Sequence, residues 1–269
     1  MRFAFALFLL AFPALALGAP TAGAAVRSVY LEELTWTELR DALAAGTTTI
    51  ILPVGGTEQS GPHMALGKHN VRAKVLAGRI AALLGDTLVA PVLSYVPEGN
   101  ISPPSEHMRF PGTISIPVAA FKSTLDGAAR SMRQAGFTQI ILIGDHGGYQ
   151  QQLKEVADQL NQAWAGSPAH VHFIAAYYRA TVAAYVRALQ AKGLSDLEIG
   201  EHAGAADTSL MLAIDPSLVR SERLGDEAGA EAGVSGDPRQ STASLGQIGI
   251  DMIVNDTVAA IRKARLEKR

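Results

Sequence analysis

The chain has no cysteine among its 269 residues. That excludes disulfides, thiolate nucleophiles and sulfur-ligated metal, and leaves His, Asp and Glu to hold any metal ion. Charge of one sign is lacking too: the formal net charge is -2 and the pI is near 6.4. Such a balance draws neither nucleic acid nor an anionic membrane surface, so no nucleic-acid partner is expected and a small molecule is. There is no internal repeat, no domain linker and, after the first residues, no apolar run of membrane-spanning length.

What is present begins with MRFAFALFLLAFPALALGAPTAGAA, one Arg ahead of a short apolar run that ends in small residues. This is the layout of a secretory signal peptide. Pro13 interrupts the run, and Ala22-Gly23-Ala24 offers an A-x-A cleavage site. Residues 1–24 are therefore expected to be a signal peptide cleaved near Ala24. The mature protein is then periplasmic or secreted, with no membrane attachment after cleavage, and residues 25–269 form a single domain. Hydrophobic residues make up 48% of the chain, enough for one large core.

The run Ile50 to Asn70, IILPVGGTEQSGPHMALGKHN, opens as a buried strand and breaks at Gly55-Gly56 into a loop with Glu58, Gln59, Ser60, His63 and His69. Gln139 to Ile143 repeats the pattern and breaks into Gly144-Asp145-His146-Gly147-Gly148. Strands are also expected at Thr87 to Val96, Thr113 to Ile116 and His170 to Tyr177. Helices are expected at Thr35 to Ala45, Val71 to Leu84, Val118 to Ala135, Gln150 to Ala165 and Thr181 to Ala191, with two more ending the chain. Alternation at this spacing predicts an α/β fold with a largely parallel sheet covered on both faces. The long loop Pro97 to Gly112 contains Ser105-Glu106-His107 and is read as functional.

Ligands bind at the carboxyl ends of such strands. Glu58 and His69 from the first loop and His146 from the second can together hold one divalent ion with a position open for water, like a catalytic zinc site. Zinc is the expected ion, with manganese or iron as alternatives. Metal-bound water would then hydrolyse an amide. Gly147 and Gly148 leave room for substrate and offer N–H groups to an oxyanion. His63 and His107 are read as hydrogen-bonders that shape the loops, and Asp145 as either an orienter of its neighbour or a solvent-facing residue.

Five ordered blocks resemble the creatininase (creatinine amidohydrolase) family: PVGGTEQSGPHMAL at 53–66, SEHMRFPGT at 105–113, IGDHGGY at 143–149, HAGAADTS at 202–209 and GVSGDP at 233–238. The resemblance implies a three-layer α/β/α fold, a homo-oligomer that is often a hexamer, and a metal centre that opens cyclic or linear amides. By position it implies that Glu58 and His146 are metal ligands and that His202 is a proton shuttle. The departures are specific. Ser60 stands where the family has a metal-binding His, and His69 where it has the Asp that bridges two metals. Ala205 and Asp207 replace glutamates, Gly148 leaves no carboxylate, and Tyr149 replaces Asn. One ion rather than two is therefore expected, with Ser60, His63, Glu106, His107, Asp145, Gly147, Gly148, Tyr149 and Asp207 as supporting or substrate-binding groups. The expected function is hydrolysis of a small or cyclic amide. A degenerate member that binds a small molecule without catalysis is the alternative.

Overall fold

Strand β1 (Thr49–Val54) is the centre of the fold, and all six of its residues are buried. Ile50, Leu52 and Val54 pack to one side of the sheet and Ile51 to the other. An unbroken apolar run is what a strand covered on both faces requires. β1 pairs in parallel with β2 (Thr87–Val89) on one side and β3 (Gln139–Gly144) on the other, and β4 (His170–Phe173) continues beyond β3. The order is β2-β1-β3-β4. The computed structural model describes residues 28–226 and 229–267. The expected signal peptide and its cleavage site lie outside the described residues.

In chain order the helices are α1 (Trp36–Ala44), α2 (Lys68–Leu84), α3 (Val118–Ala135), α4 (Gln150–Ala163), α5 (Ala176–Arg179), α6 (Tyr185–Ala191), α7 (Asp196–Ile199), α8 (Ala205–Ile214) and α9 (Ala243–Leu266). Leu43, Phe121, Leu125, Leu153 and Leu160 bring α1, α3 and α4 onto one face of the sheet. Leu76, Ile80, Tyr185, Leu210, Ile250 and Ile253 bring α2, α6, α8 and α9 onto the other. The result is three α/β/α layers, as expected. Thr35 caps α1 in a reciprocal box with Glu38, and Gly136 ends α3 in the left-handed conformation at φ +118°. α8 and α9 approach closely at Gly246, where a Cβ would lie 1.8 Å from the Ser209 carbonyl oxygen.

Four expected elements differ. The strand after Thr87 stops at Val89 because the chain turns out of the ladder at Ala90-Pro91, where proline has no N–H to give. Thr113 to Ile116 makes only the isolated bridges Thr57–Ile114 and Val96–Ser115. β4 ends at Phe173, and the helical run that follows begins at Ala176 and passes through a π-helical turn, Ala180–Ala184. Finally, α2 begins at Lys68, three residues ahead of its apolar stripe, so Lys68 and His69 sit on a helix rather than a loop.

β2 and β3 flank β1 on opposite sides, which makes the β1/β3 boundary a topological switch point. The crevice outside their carboxyl ends is where this architecture binds ligands.

Candidate functional site

The loops leaving β1 and β3 meet over that crevice at one carboxylate. Glu58 is fully buried, and its two oxygens have different company. Oε1 accepts from His69 Nε2 at 2.7 Å and lies 3.4 Å from Lys68 Nζ and 3.6 Å from His202 Nδ1. Oε2 has no hydrogen-bond partner among the described residues, and His107 Nε2 and His146 Nε2 each face it at 3.5 Å. Glu58, His107 and His146 bring three potential ligand atoms within 4.8 Å of one another.

His146 is delivered by β3 and held by Tyr149. The Tyr149 hydroxyl donates toward the carbonyls of Val54 (2.9 Å) and Gly55 (2.5 Å) and accepts from the N–H groups of Asp145 (3.2 Å) and His146 (3.1 Å). One buried phenol thus ties the end of β1 to the loop after β3. Burial pushes His146 down to about 4, so the ring is neutral at neutral pH and has a lone pair to offer. Gly148 N–H donates to His146 Nδ1 at 3.3 Å. A Cβ on Gly147 would lie 2.6 Å from the Tyr178 hydroxyl oxygen, which explains a glycine there.

His107 arrives on the long loop, in a short 3-10 turn. Its Nδ1 is 3.0 Å from the Gln59 side-chain nitrogen, and the Gln59 N–H donates to Thr113 Oγ1 at 3.1 Å. His202 Nε2 donates to the Gln59 carbonyl at 2.9 Å. A carbonyl can only accept, so Nε2 carries the ring proton and the Nδ1 lone pair is turned toward Glu58. Burial, then Lys68, hold His202 at about 3. Each histidine is next to a non-glycine residue of positive φ, Glu106 at +49° and Ala203 at +57°. Such backbone strain gathers where side chains must be aimed.

On the other side of Glu58 stands a lattice of buried charges. Asp145 accepts from His69 Nδ1 (2.6 Å), Arg72 Nε (2.8 Å) and the Tyr177 hydroxyl (2.7 Å). Asp207, in the first turn of α8, accepts from Lys68 Nζ and Arg72 Nη1, both at 2.7 Å, and from Ala203 N–H at 3.2 Å. Burial and Lys68 push His69 down, but Glu58 and Asp145 outweigh them and raise its pKa. Both ring nitrogens of His69 thus face carboxylate oxygens, at 2.6 and 2.7 Å, and Arg72 Nη2 also stands 3.1 Å from Nδ1. The group around Glu58 Oε2 that could hold a metal ion is formed by His107, read from sequence as a loop-shaping hydrogen-bonder, together with His146, while His69 stands at Oε1.

The remaining expected residues fall in three places. Ser60 is buried, its hydroxyl has no hydrogen-bond partner among the described residues, and it lies outside the metal-competent group. His63 Nε2 contacts Thr208 Oγ1 at 3.0 Å and so ties its loop to α8. Glu106 is exposed, on the rim of a cavity of about 330 Å³ that also reaches His107 and His202. A larger cavity of about 660 Å³ opens on the other side of His202, between Tyr178, Thr181, Ile199, Glu201 and Asp207. His202 thus borders both spaces.

The family model described as creatinine amidohydrolase matches residues 32–261. The chain belongs to the creatininase family. It is 31% identical over 203 residues to a creatinine amidohydrolase of Pseudomonas putida, covering 74% of this chain and 77% of that one. It is 28% identical over 237 residues to a mycofactocin precursor peptide peptidase of Mycolicibacterium smegmatis, covering 80% and 84%. Two solved creatininases superpose over 88% of this chain. One is a mutant of Zn-Zn type, at TM-score 0.74 and 27% identity over 98% of its own length. The other is a manganese form, at 0.75 and 26% over 99%.

Sequence reasoning missed three residues of this creatininase-family site. Lys68 and Arg72 bury cations on α2, and Glu98 buries a carboxylate on the long loop. Burial and the neighbouring Glu58 push Glu98 up to about 8. Lys68 and Arg72 are spaced one helical turn apart on the face that also carries His69, a readable signal once the helix is extended back to residue 68. Glu98 lies outside all five motif blocks, and its only signal is the unusual length of its loop.

Proposed function

We propose that the protein is a metal-dependent hydrolase of amide C–N bonds, with a small or cyclic amide as substrate and one divalent ion held by Glu58, His107 and His146. The observation behind this reading is Glu58 Oε2: a buried carboxylate oxygen with no hydrogen bond, faced by two ring nitrogens, is a donor set short of a cation. Zinc suits two imidazoles and a carboxylate, with manganese or iron as alternatives. When bound, such an ion lowers the pKa of water and polarises a carbonyl. His69 and the Lys68 ammonium already stand at Oε1, which favours one ion over two.

His202 supplies the proton chemistry. Its Nδ1 lone pair accepts a proton from the attacking water. With so low a pKa, the imidazolium then gives that proton up readily to the leaving nitrogen. The same low basicity, with Ser60 and His69 in place of family ligands, favours a second reading in which a small molecule binds without turnover. Export with cleavage near Ala24 is supported by the layout of the leader, and homo-oligomeric assembly, hexameric in kind, by the family resemblance.

The test is turnover by metal-loaded protein on a panel of cyclic amides, linear amides and short peptides, the last because one relative is a peptide peptidase. His202→Ala should keep its metal and lose about a hundred- to ten-thousand-fold in kcat. Wild-type rates in that variant would refute the proton role. No turnover across the panel would favour the binding protein.

A further inference from the structure

Glu98 belongs to none of the segments that carry the family resemblance, yet it is only 2% exposed and points into the site. Neither of its carboxylate oxygens accepts from a donor among the described residues, and besides His146 its side chain neighbours the Glu58 carboxyl. The fold makes room for it: a Cβ on Gly56 would lie 2.5 Å from Glu98 Oε1. Ser115 pins its backbone, accepting from the Glu98 N–H at 3.0 Å and donating to the Gly99 carbonyl at 2.7 Å. A carboxyl group buried without donors lowers stability, so a place built this carefully calls for a use.

Oε2 of Glu98 lies 3.4 Å from His146 Nδ1. That nitrogen has a second neighbour with the opposite demand, because Gly148 N–H approaches at 3.3 Å and needs a lone pair there. In this arrangement the ring proton sits on Nε2. An ion at Nε2, the nitrogen that faces Glu58 Oε2 at 3.5 Å, would take that lone pair and leave the proton of the neutral ring on Nδ1. Gly148 then has nothing to donate to, and Glu98 Oε2 is the acceptor in place.

We infer that Glu98 is a positioning residue of the metal site: by accepting from His146 Nδ1–H, it fixes the ring tautomer that offers Nε2 to the ion. Carboxylates behind ligating imidazoles act in this way elsewhere, and their loss costs about 10- to 100-fold in metal affinity. The inference rests on the metal-binding reading above and goes beyond it by assigning a residue and a tautomer.

Zinc affinity, measured by competition with a chromophoric chelator, tests it in wild type, Glu98→Leu and Glu98→Gln, alongside the melting temperature of each metal-free protein. Glu98→Leu should bind zinc about 10- to 100-fold more weakly while its metal-free melting temperature does not fall. A residue that only supports the fold would lower both. Glu98→Gln keeps an acceptor oxygen and should lose less than Glu98→Leu. Wild-type affinity in Glu98→Leu, or equal losses in the two variants, would overturn the tautomer role. Absence of zinc binding in wild type would instead sink the metal reading itself. Should Glu98→Leu fail to fold, nitrogen-15 spectra of His146 in zinc-loaded wild type decide the matter: a protonated Nδ1 is expected, and a bare one overturns the inference.

Discussion

Toward α2, Glu58 meets a closed lattice of protein charges, in which Lys68, Arg72 and His69 stand against Glu58, Asp145 and Asp207 at distances of 2.6–3.4 Å. Toward the loops it meets the opposite: His107, His146 and Glu98, with carboxylate oxygens that nothing among the described residues satisfies. One half carries its own cations and is complete. The other is a set of donors without a cation. The proposed single-ion site of a chain with Ser60 and His69 at two family ligand positions rests on this contrast. The cations that α2 provides stand where further ions would be needed, and the open half remains.

Breaking the closed half should have the largest effect on folding. Arg72→Leu removes a guanidinium shared by buried Asp145 and half-buried Asp207 and should cost about 3–5 kcal/mol in chemical denaturation, as when one partner of a buried pair is deleted. Its pH dependence has a defined sign. Burial raises the pKa of Asp145 and of Asp207, but Arg72 overrides it at the first, and Lys68 with Arg72 at the second, so both end below the ordinary value. Stability from depressed carboxylates is complete above the unfolded pKa of about 3.9 and is lost as pH falls through the folded values. Arg72→Leu raises those folded values, so the acid-unfolding midpoint should move to higher pH. An unchanged midpoint would mean that the lattice does not hold the fold together.

A smaller effect sharpens the contrast from the open side. Tyr149→Phe keeps the ring and removes the hydroxyl that ties β1 to the Asp145 and His146 backbone. About 1–3 kcal/mol of stability should be lost, because the Gly55 carbonyl and the His146 N–H lose their partner, while Asp145 N–H and the Val54 carbonyl keep each other. Zinc affinity should fall with it, since the His146 ring hangs from that backbone. Stability lost with zinc affinity intact would show that the loop does not need this tie to aim His146.

The parts that were legible in the sequence are those with a period or a break. β1 and β3 read as apolar runs that end in glycine, and α3 as a stripe closed by Gly136, so the sheet and the crevice above it followed directly. Glu58 and His146 were visible because they stand just past those breaks. The start of α2 was hidden because Lys68, His69 and Arg72 are polar yet buried, and an apolar period cannot register side chains that bury as ion pairs. The surroundings of His69 were hidden too: its two carboxylate partners come from positions 58 and 145, which only the fold brings together. His107 and Glu98 belong to a loop without periodicity, where spacing says nothing about which way a side chain turns.

The most direct measurement is the metal content of purified protein after chelation and reloading with zinc, made on wild type and on His146→Ala. One ion per chain in wild type and none in the variant is the expected result. Two tightly held ions in wild type would show that the Lys68 side of Glu58 is open after all, and would contradict the division of the site into a closed half and an open one.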